Sequence, residues 1–426
     1  MFAFAIWDDR NKKLFCARDR FGIKPFFFHL TKERFVFGSE IKAVLAAGVE
    51  KEIDLQAMDS YFTYRFITDD QTIFKGIRKL KPAHSIEINF NDRSSYEVKI
   101  EKYWNIDYQP DFKITEADWC EELNQVLKDA VKMRMISDVP LGAFLSGGID
   151  SSIVVALMSQ YAENPIKTFS IGFKEKAFNE LPFAREIAKK YNTEHYEQII
   201  EPDSVNLLPK LTWAYDEPFA DTSAIPTYYV SKFAREHVTV VLTGDGGDEL
   251  FGGYDKYNRL SNFYKYNRTP HAFNKHFWGT IHNLLPNTVK GKGATYYLSK
   301  KRIESGAYLA LWTEPERKKL YRSELWNEVK NNPAENYKKQ LLLNSKTDDF
   351  LFQNLELDMR SFMVDDVLTK VDRASMLNSL EARVPILDHK LAELSFTIPS
   401  NLKMKGNNKK YILKKAFEKY LSLIHI

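Results

Sequence analysis

Ser146-Gly147-Gly148-Ile149-Asp150-Ser151-Ser152 decides how this chain is read. It follows a short apolar run, residues 142–145, and opens an apolar stretch over 151–161. The first reads as a strand and the second as a helix. Two glycines at such a turn let the backbone approach an anion closely, and a helix N-terminus aims unpaired N–H groups at it. Ser146, Ser151 and Ser152 add hydroxyl donors. Asp150 is the discordant member, because a carboxylate beside a phosphate is repulsive unless a cation lies between them. The pattern predicts a nucleotide phosphate site, with Mg²⁺ bridging Asp150 and phosphate oxygens. A Gly-Gly pair alone is explained by a serine-capped turn; the whole motif between strand and helix is not. No Gly-Lys-Ser/Thr follows, so the loop is not a Walker A loop.

Outward from this loop, strands and helices alternate. Residues 168–173, 195–199 and 238–242 read as strands, and 119–135, 181–191, 205–214 and 226–236 as helices. That alternation predicts a parallel, doubly wound sheet. From about Asn258 onward the chain reads as helical, with loops at Pro270, Pro286 and Pro333. The first hundred residues are β-rich instead. Residues 1–7 form a continuous apolar run that predicts a buried strand, and 13–17 an extended partner. A hairpin-like unit covers 25–28 and 34–37, and a strand pair 83–90 and 96–100, joined by a turn at 91–94. Ser39 is expected to cap a short helix over 40–47. An aperiodic segment from Tyr108 to Ala117 separates the two regions.

Leu242-Thr243-Gly244-Asp245-Gly246-Gly247-Asp248-Glu249-Leu250-Phe251-Gly252-Gly253-Tyr254 leaves the last of these strands. Its glycines and acids argue against a packed helix or strand. Asp245, Asp248 and Glu249 near a phosphate site again imply a metal or cationic partner. Ligands of α/β sheets gather at strand C-termini, which weighs against a merely solvated surface loop.

The composition bounds the possibilities. A chain of 426 residues has room for two or three domains. Lys and Arg total 61 against 57 Asp and Glu, a net charge of +4, which gives no electrostatic footprint for nucleic acid or an anionic membrane. Thirty Phe, 22 Tyr and 7 Trp exclude intrinsic disorder. Cys16 and Cys120, one read as a strand residue and the other as a helix residue, fit no metal-ligand spacing, and so few cysteines suggest a reducing, cytoplasmic setting. His195 reads as structural. No apolar run approaches the roughly 20 residues needed to span a bilayer, and no signal peptide is apparent.

The first loop resembles the pyrophosphate loop of the ATP pyrophosphatase group. Together the two loops resemble those of glutamine-hydrolysing asparagine synthetases. The likeness extends, in order, over nearly the whole chain. Asp216-Glu217-Pro218-Phe219-Ala220-Asp221 with Ser223-Ala224-Ile225-Pro226-Thr227 looks like that family's substrate-binding segment. Val367-Leu368-Thr369-Lys370-Val371-Asp372-Arg373 and Glu381-Ala382-Arg383-Val384-Pro385-Ile386-Leu387-Asp388 look like its C-terminal signatures. Asn408-Lys409-Lys410-Tyr411-Ile412-Leu413-Lys414 resembles the segment with its catalytic lysine, and Arg18-Asp19-Arg20-Phe21-Gly22-Ile23-Lys24-Pro25 resembles the later part of its glutaminase domain.

The resemblance implies an α/β fold: an ATP-pyrophosphatase-type doubly wound domain over 117–426, preceded over 1–108 by part of a β-rich N-terminal-nucleophile (αββα) glutamine amidotransferase domain. It implies a ligase that converts aspartate to asparagine through β-aspartyl-AMP, using ATP, Mg²⁺, and ammonia supplied directly or from glutamine. Carried over residue by residue, Asp150 and Asp248 hold Mg²⁺–pyrophosphate. Ser146, Gly147, Gly148 and Ser151 cradle the phosphates. Asp245 holds or deprotonates the amine, and Lys410 steadies the phosphoryl oxygens. Leu145, Ile171, Thr243 and Gly244 line the adenosine pocket. Arg383 contacts an anion or pairs structurally with Glu381 or Asp388. The other lysines around Lys410, from Lys403 to Lys415, read as mostly solvated.

The chain departs from the family where the N-terminal cysteine nucleophile and the early glutamine-binding motifs would stand, and it stops at Ser422-Leu423-Ile424-His425-Ile426. The expectation is a fragment cut at both ends that does not hydrolyse glutamine, and whose half-sandwich exposes sheet surface. The sequence leaves the oligomeric state open, a homodimer included. The competing readings are the same fold acting on another carboxylate, such as a sugar acid, and a non-catalytic relic. A tRNA-modifying relative is disfavoured by the charge and by the lack of a Cys-x-x-Cys.

Overall fold

The structure is a computed structural model that describes residues 1–90, 96–174, 179–201, 203–266, 269–286 and 288–421. The expected turn at 91–94 and the last residues, 422–426, lie outside the described residues.

The N-terminal region up to Lys102, the first half of the fold though only about a quarter of the chain, contains two antiparallel sheets. One has the order β1 (Ala3–Asp8), β2 (Lys13–Arg18), β6 (His84–Phe90), β7 (Tyr96–Lys102). The other has the order β4 (Phe35–Gly38), β3 (Phe27–Leu30), β5 (Ile77–Lys79). Cys16, Phe26, Phe28, Leu80, Ile86 and Ile88 form the core between them. The expectation of a buried first strand is overturned. β1 alternates over its first four residues, with Ala3 and Ala5 packed on the core while Phe4 is 36% and Ile6 57% exposed. A run that is apolar on both faces hides its period of two, so the sequence could not show which face was outside. Ser39 is not the cap of the next helix, α1 (Ile41–Ala46). Glu40 occupies that position without a side-chain bond, and the Ile41 N–H instead donates to Asp216 Oδ2 of the second half at 2.9 Å. A further helix, α2 (Leu55–Tyr64), was not anticipated, although Asp54 caps it through the N–H groups of Gln56 and Ala57.

The second half is built on a five-stranded, all-parallel sheet. Its strands are β8 (Leu141–Phe144), β9 (Lys167–Phe173), β10 (Glu194–Ile200), β11 (Val240–Leu242) and β12 (Glu381–Arg383), in the order β10-β9-β8-β11-β12. The helices α3 (Glu116–Arg134), α4 (Ile149–Tyr161), α5 (Leu181–Lys190), α6 (Ser204–Tyr215) and α7 (Ala224–Arg235) connect these strands or pack on them. The doubly wound parallel sheet expected from the alternation is present. The chain beyond Asn258 is not wholly helical: Glu381–Arg383 returns to add the fifth strand beside β11. Three residues are too few to carry a readable alternation.

The strand order fixes where a ligand can sit. From β8 the chain winds one way through β9 and β10, then returns to add β11 and β12 on the other side. The switch point therefore lies between β8 and β11, the two strands that the glycine-rich loops leave. Residues 103–115 form neither helix nor strand and lie against the second half. There the Gln109 N–H donates to the Phe396 carbonyl at 3.2 Å, and Tyr108 stacks on Phe352 with ring centroids 3.7 Å apart. No helix of the described residues is long and apolar enough to cross a membrane.

Candidate functional site

The loop between β8 and α4 is held by its own hydroxyls. The Gly148 N–H donates to Ser146 Oγ at 3.1 Å, Ser146 and Ser151 share a hydroxyl bond at 3.0 Å, and Ser151 Oγ donates to the Gly148 carbonyl at 3.1 Å. Gly147 has φ +80°, and a Cβ there would lie 2.6 Å from Phe183 Cβ, so glycine is required on both counts. Gly148 is the N-cap of α4 and caps it with no side chain, which leaves the helix N-terminus open toward the switch point. Ile153 to Met158 are each fully buried, so this end of the helix is fixed by core packing on every side.

The second loop departs from its expectation. Residues 247–251 form a short helix, α8 (Gly247–Phe251), bracketed by Gly246 at φ +92° and Gly252 at φ +74°. Leu250 and Phe251 are fully buried and anchor it, which offsets the poor helix propensity of its glycine and acids. A Cβ on Gly247 would stand 2.5 to 2.6 Å from the Asp150 carboxyl atoms, so the two loops touch where one lacks a side chain. Glu249 is also misjudged. It turns into the interior, where the Tyr254 hydroxyl donates to it at 2.6 Å, and burial pushes its carboxyl up to about 7.

Lys410 joins the loops. Its ammonium donates to Asp150 Oδ2 and lies 2.8 Å from Asp248 Oδ1. Lys410 sits at φ +53°, before the helix Tyr411–Ala416. Burial alone would lower its pKa, but the carboxylates of Asp150 and Asp248 outweigh burial and hold it above the ordinary lysine value. Burial lifts Asp150 to about 6 against the opposing pull of Lys410. Asp150 Oδ1 is buried and has no hydrogen-bond partner. Lys403, expected in solvent, is fully buried and donates to the Leu250 carbonyl at 2.8 Å, under the end of α8. Lys409 does reach the surface, paired with Asp255.

These loops bound a cavity of about 440 Å³. Its wall includes Ser146, Gly148, Asp150, Ser151, Thr243, Gly244, Asp245, Asp248 and Lys410. Three sequence-chosen residues lie off that wall. Gly147 packs against Phe183 and Ala184. Leu145 is in the core, with its N–H on the Phe169 carbonyl and its own carbonyl taking the Ser170 hydroxyl. Ile171 is half-buried on β9. Arg383 makes the structural pair that the sequence left open: it binds Glu381 at 2.7 Å and donates to the Arg134 and Ile136 carbonyls at the end of α3, while Asp388 pairs with Arg134. His195 bonds Thr168 Oγ1 at 2.9 Å.

The far end of the cavity is built around Lys370, to which the sequence gave no individual role, and part of the segment read as substrate-binding. Lys370 lines the wall and donates to Asp221 Oδ2 at 3.1 Å and Ser223 Oγ at 2.9 Å. Burial would lower its pKa, but Asp221 and Asp245 raise it beyond that loss. Asp221 is held down to about 2: burial opposes this, and Lys370 with the Ser223 bonds overcomes it. Burial and the neighbouring Asp221 push Asp366 up to about 8. Burial also raises Asp245, against Lys370. Thr227 and Val230 of α7 complete this end. The segment 216–221 thus divides: Asp221 pairs with Lys370 of the cavity wall, whereas Asp216 pairs with Lys42 at 2.8 Å and Glu217 accepts from the Ile73 N–H at 3.0 Å, both in the first half.

The site fits a divalent cation in one respect and not another. Among the described residues no group of three or more His, Cys, Asp or Glu is arranged to hold a metal. Asp150 and Asp248 nonetheless meet, and one oxygen of Asp150 is orphaned. One or two carboxylates completed by substrate phosphates is how Mg²⁺ is commonly bound.

Residues 122–422 match the family model described as asparagine synthase, and residues 1–104 match that of the glutamine amidotransferase domain. Asparagine synthetase (glutamine-hydrolyzing) 1 of Bacillus subtilis is 33% identical over 429 residues, covering 98% of this chain and 65% of the relative. A putative asparagine synthetase (glutamine-hydrolyzing) 2 of Methanocaldococcus jannaschii is 42% identical over 260 residues, covering 60% of this chain and 49% of the relative. A putative asparagine synthetase (glutamine-hydrolyzing) of Mycobacterium bovis is 31% identical over 437 residues, covering 98% and 64%. The chain spans less than two thirds of the length of each.

Proposed function

The chain belongs to the asparagine synthase family, and on that premise we propose that it carries the synthetase site of an enzyme that uses ATP to amidate aspartate to asparagine. The two units of this reading are residues 1–108 and 117–426. The observation that carries it is Lys410 seated between Asp150 and Asp248, where both glycine-rich loops face one cavity at the switch point of the sheet.

A carboxylate accepts an amine only after one of its oxygens becomes a good leaving group. The aspartate side-chain oxygen attacks the α-phosphorus of ATP, the bond to the bridging oxygen breaks, and pyrophosphate leaves. Lys410 stands where negative charge grows on the phosphoryl oxygens. The open N-terminus of α4 receives the departing pyrophosphate. Asp150 and Asp248 would hold Mg²⁺, which supplies charge neutralisation to the phosphates when bound. Ammonia then attacks the acyl carbon of β-aspartyl-AMP and AMP leaves. Asp245, whose carboxyl burial raises above the ordinary carboxylate value, is the group at hand to take the amine's proton. Thr243 and Gly244, with Leu145 and Ile171 behind them, would form the nucleoside side of the cavity. In the whole protein, glutamine is the proposed source of ammonia, in the cytoplasm.

The test is pyrophosphate and AMP release from ATP·Mg²⁺ with ammonium and a panel of acceptors. Stoichiometric asparagine with aspartate supports the reading. Release that depends on a sugar acid and not on aspartate replaces the acceptor. Failure to bind ATP·Mg²⁺ refutes the nucleotide site itself.

A further inference from the structure

A second cavity, of about 230 Å³, lies between the two halves and shares no wall residue with the first. Arg20, Phe21, Lys102 and Trp104 line it from one side, and Met359 and Arg360 from the other. The family match gives it no role.

Its charges do not balance locally. Of the cations on its wall, Lys81 pairs with Asp69 at 2.7 Å and Arg360 with Glu356 at 2.7 Å. Arg20 makes no ion pair among the described residues, and its Nε is buried without a hydrogen-bond partner. Among the described residues Lys102, at the rim, donates only to the Asn105 amide oxygen. Its ammonium is held below the ordinary lysine value, first by burial and then by the Arg360 guanidinium. The acids on the wall are already engaged, Asp365 by Lys79 and the Asp69 N–H, and Asp69 by Lys81. Arg20 therefore faces the cavity with no ion-pair partner among the described residues, and Lys102 is answered only by the charges of Asp107 and Glu356, with neither of which it forms an ion pair. Beside the polar His84, Asn105 and Tyr337, the wall has an apolar corner: Phe21 meets Trp104 edge-on with centroids 5.3 Å apart, and Met359 and Val364 are buried.

We propose that this cavity is a binding site for a small organic anion, a carboxylate carried on a compact planar apolar body. Arg20 supplies a planar fork matched to a carboxylate, Lys102 adds a second charge at the rim, and the Phe21–Trp104 corner takes the ring. The volume falls below the roughly 300 Å³ at which drug-sized pockets begin, so the occupant has one ring at most. Asp365 of this wall adjoins Asp366, which meets Asp221, the partner of Lys370 on the wall of the first cavity.

Titration calorimetry on the full chain, with benzoate, its neutral isostere benzamide, and inorganic phosphate as probes, tests this. Saturable benzoate binding is expected, with benzamide weaker by about tenfold or more, the effect of losing a charge-assisted hydrogen bond. Arg20→Met should weaken benzoate by a similar factor. Lys102→Met at the solvent rim should weaken it too, and serves if Arg20→Met fails to fold. Phosphate binding more tightly than benzoate would show that the apolar wall contributes nothing and overturn the ligand class. Equal affinity for benzoate and benzamide, affinity unchanged in both variants, or no saturable benzoate binding would overturn the site. None of these measurements depends on whether the first cavity turns over ATP.

Discussion

Replacing Lys410 by methionine keeps a long apolar stem and removes one charge from the centre of the site. In the native chain that charge lies 2.8 Å from Asp248 and also on Asp150. Two unit charges at such a distance attract by about 6 kcal/mol at an effective dielectric constant of about 20, before desolvation is subtracted. Breaking one partner out of a buried pair typically costs about 3–5 kcal/mol. Here the loss is smaller, because Asp150 already sits near 6 and escapes by taking a proton. A stability loss of about 2–3 kcal/mol at pH 8 is expected. No proton relieves the loss in the reaction, where deleting a donor to developing charge costs about 10²–10³ in kcat.

The pH dependence gives the sign. The raised pKa of Lys410 keeps it charged throughout the assay range, so it adds no slope between pH 5 and 8. Asp150 has a folded pKa above its ordinary value, so between about 4 and about 6 the folded chain binds more protons than the unfolded one, and stability falls as pH rises. Without Lys410 that window extends upward. Urea unfolding at pH 5 and pH 8 should therefore show a wider gap between native and Lys410→Met at pH 8. Pyrophosphate release measured alongside should fall by two orders of magnitude or more. A variant that keeps its rate within about threefold, with a stability gap independent of pH, would falsify the placement of Lys410 between the two carboxylates.

Three further outcomes are expected. Gly247→Ala puts a methyl group 2.5 Å from the Asp150 carboxyl; ATP-dependent turnover should drop by about tenfold or more while urea stability falls by about 1–3 kcal/mol, and unchanged turnover would show that the loops do not touch. Arg317→Met leaves Asp59 and Glu335 buried without their shared partner; urea unfolding should show a loss of about 3–5 kcal/mol, and a negligible loss would mean this cross-half triad is not closed. Burial drops Lys403 to about 7, so between about 7 and about 10 the unfolded chain binds more protons and stability should rise with pH; Lys403→Met should remove that rise, and an unaltered slope would place the ammonium in solvent.

The glycine-rich loops were legible because their residue types have few other uses. Gly147 at positive φ, and Asp150 beside the bare backbone of Gly247, suit a tight anion-facing turn and little else. Lys370 was not legible. It lies in a helix, Thr369–Met376, whose start overlaps a segment that resembles a C-terminal signature of the family, but nothing there singled out the lysine. Only the fold brings it to Asp221, 149 residues away in the chain. Lys403 was misjudged for the same reason, since a lysine among lysines shows nothing of the aromatic rings of Phe251, Phe352 and Phe396 around it. The direction of Asp216 was equally hidden. A left-handed residue at φ +65° ends α6 there and turns its carboxylate toward Lys42.

That turn bears on how the two halves cooperate. Residues 363–368 form a π-helical turn that carries Asp365 and Asp366 side by side. Asp365 accepts from the Asp69 N–H at 3.1 Å and pairs with Lys79, both in the first half, whereas Asp366 meets Asp221 beside Lys370. Glu217 also pairs with Lys79, and the Ala220 N–H donates to the Arg65 carbonyl at 3.0 Å. Lys24 and the Ser39 carbonyl hold Asp372 and Arg373 on the following helix. Nearly every element that places Lys370 is thus fastened from behind by the first half. The loops at β8 and β11 need no such support, because core packing holds α4 and α8. The end of the cavity proposed for phosphate is therefore set by the parallel sheet and the C-terminal lysines Lys403 and Lys410, and the end proposed for the acceptor by the docking of one half on the other. Loosening that interface should disturb the acceptor before it disturbs the nucleotide.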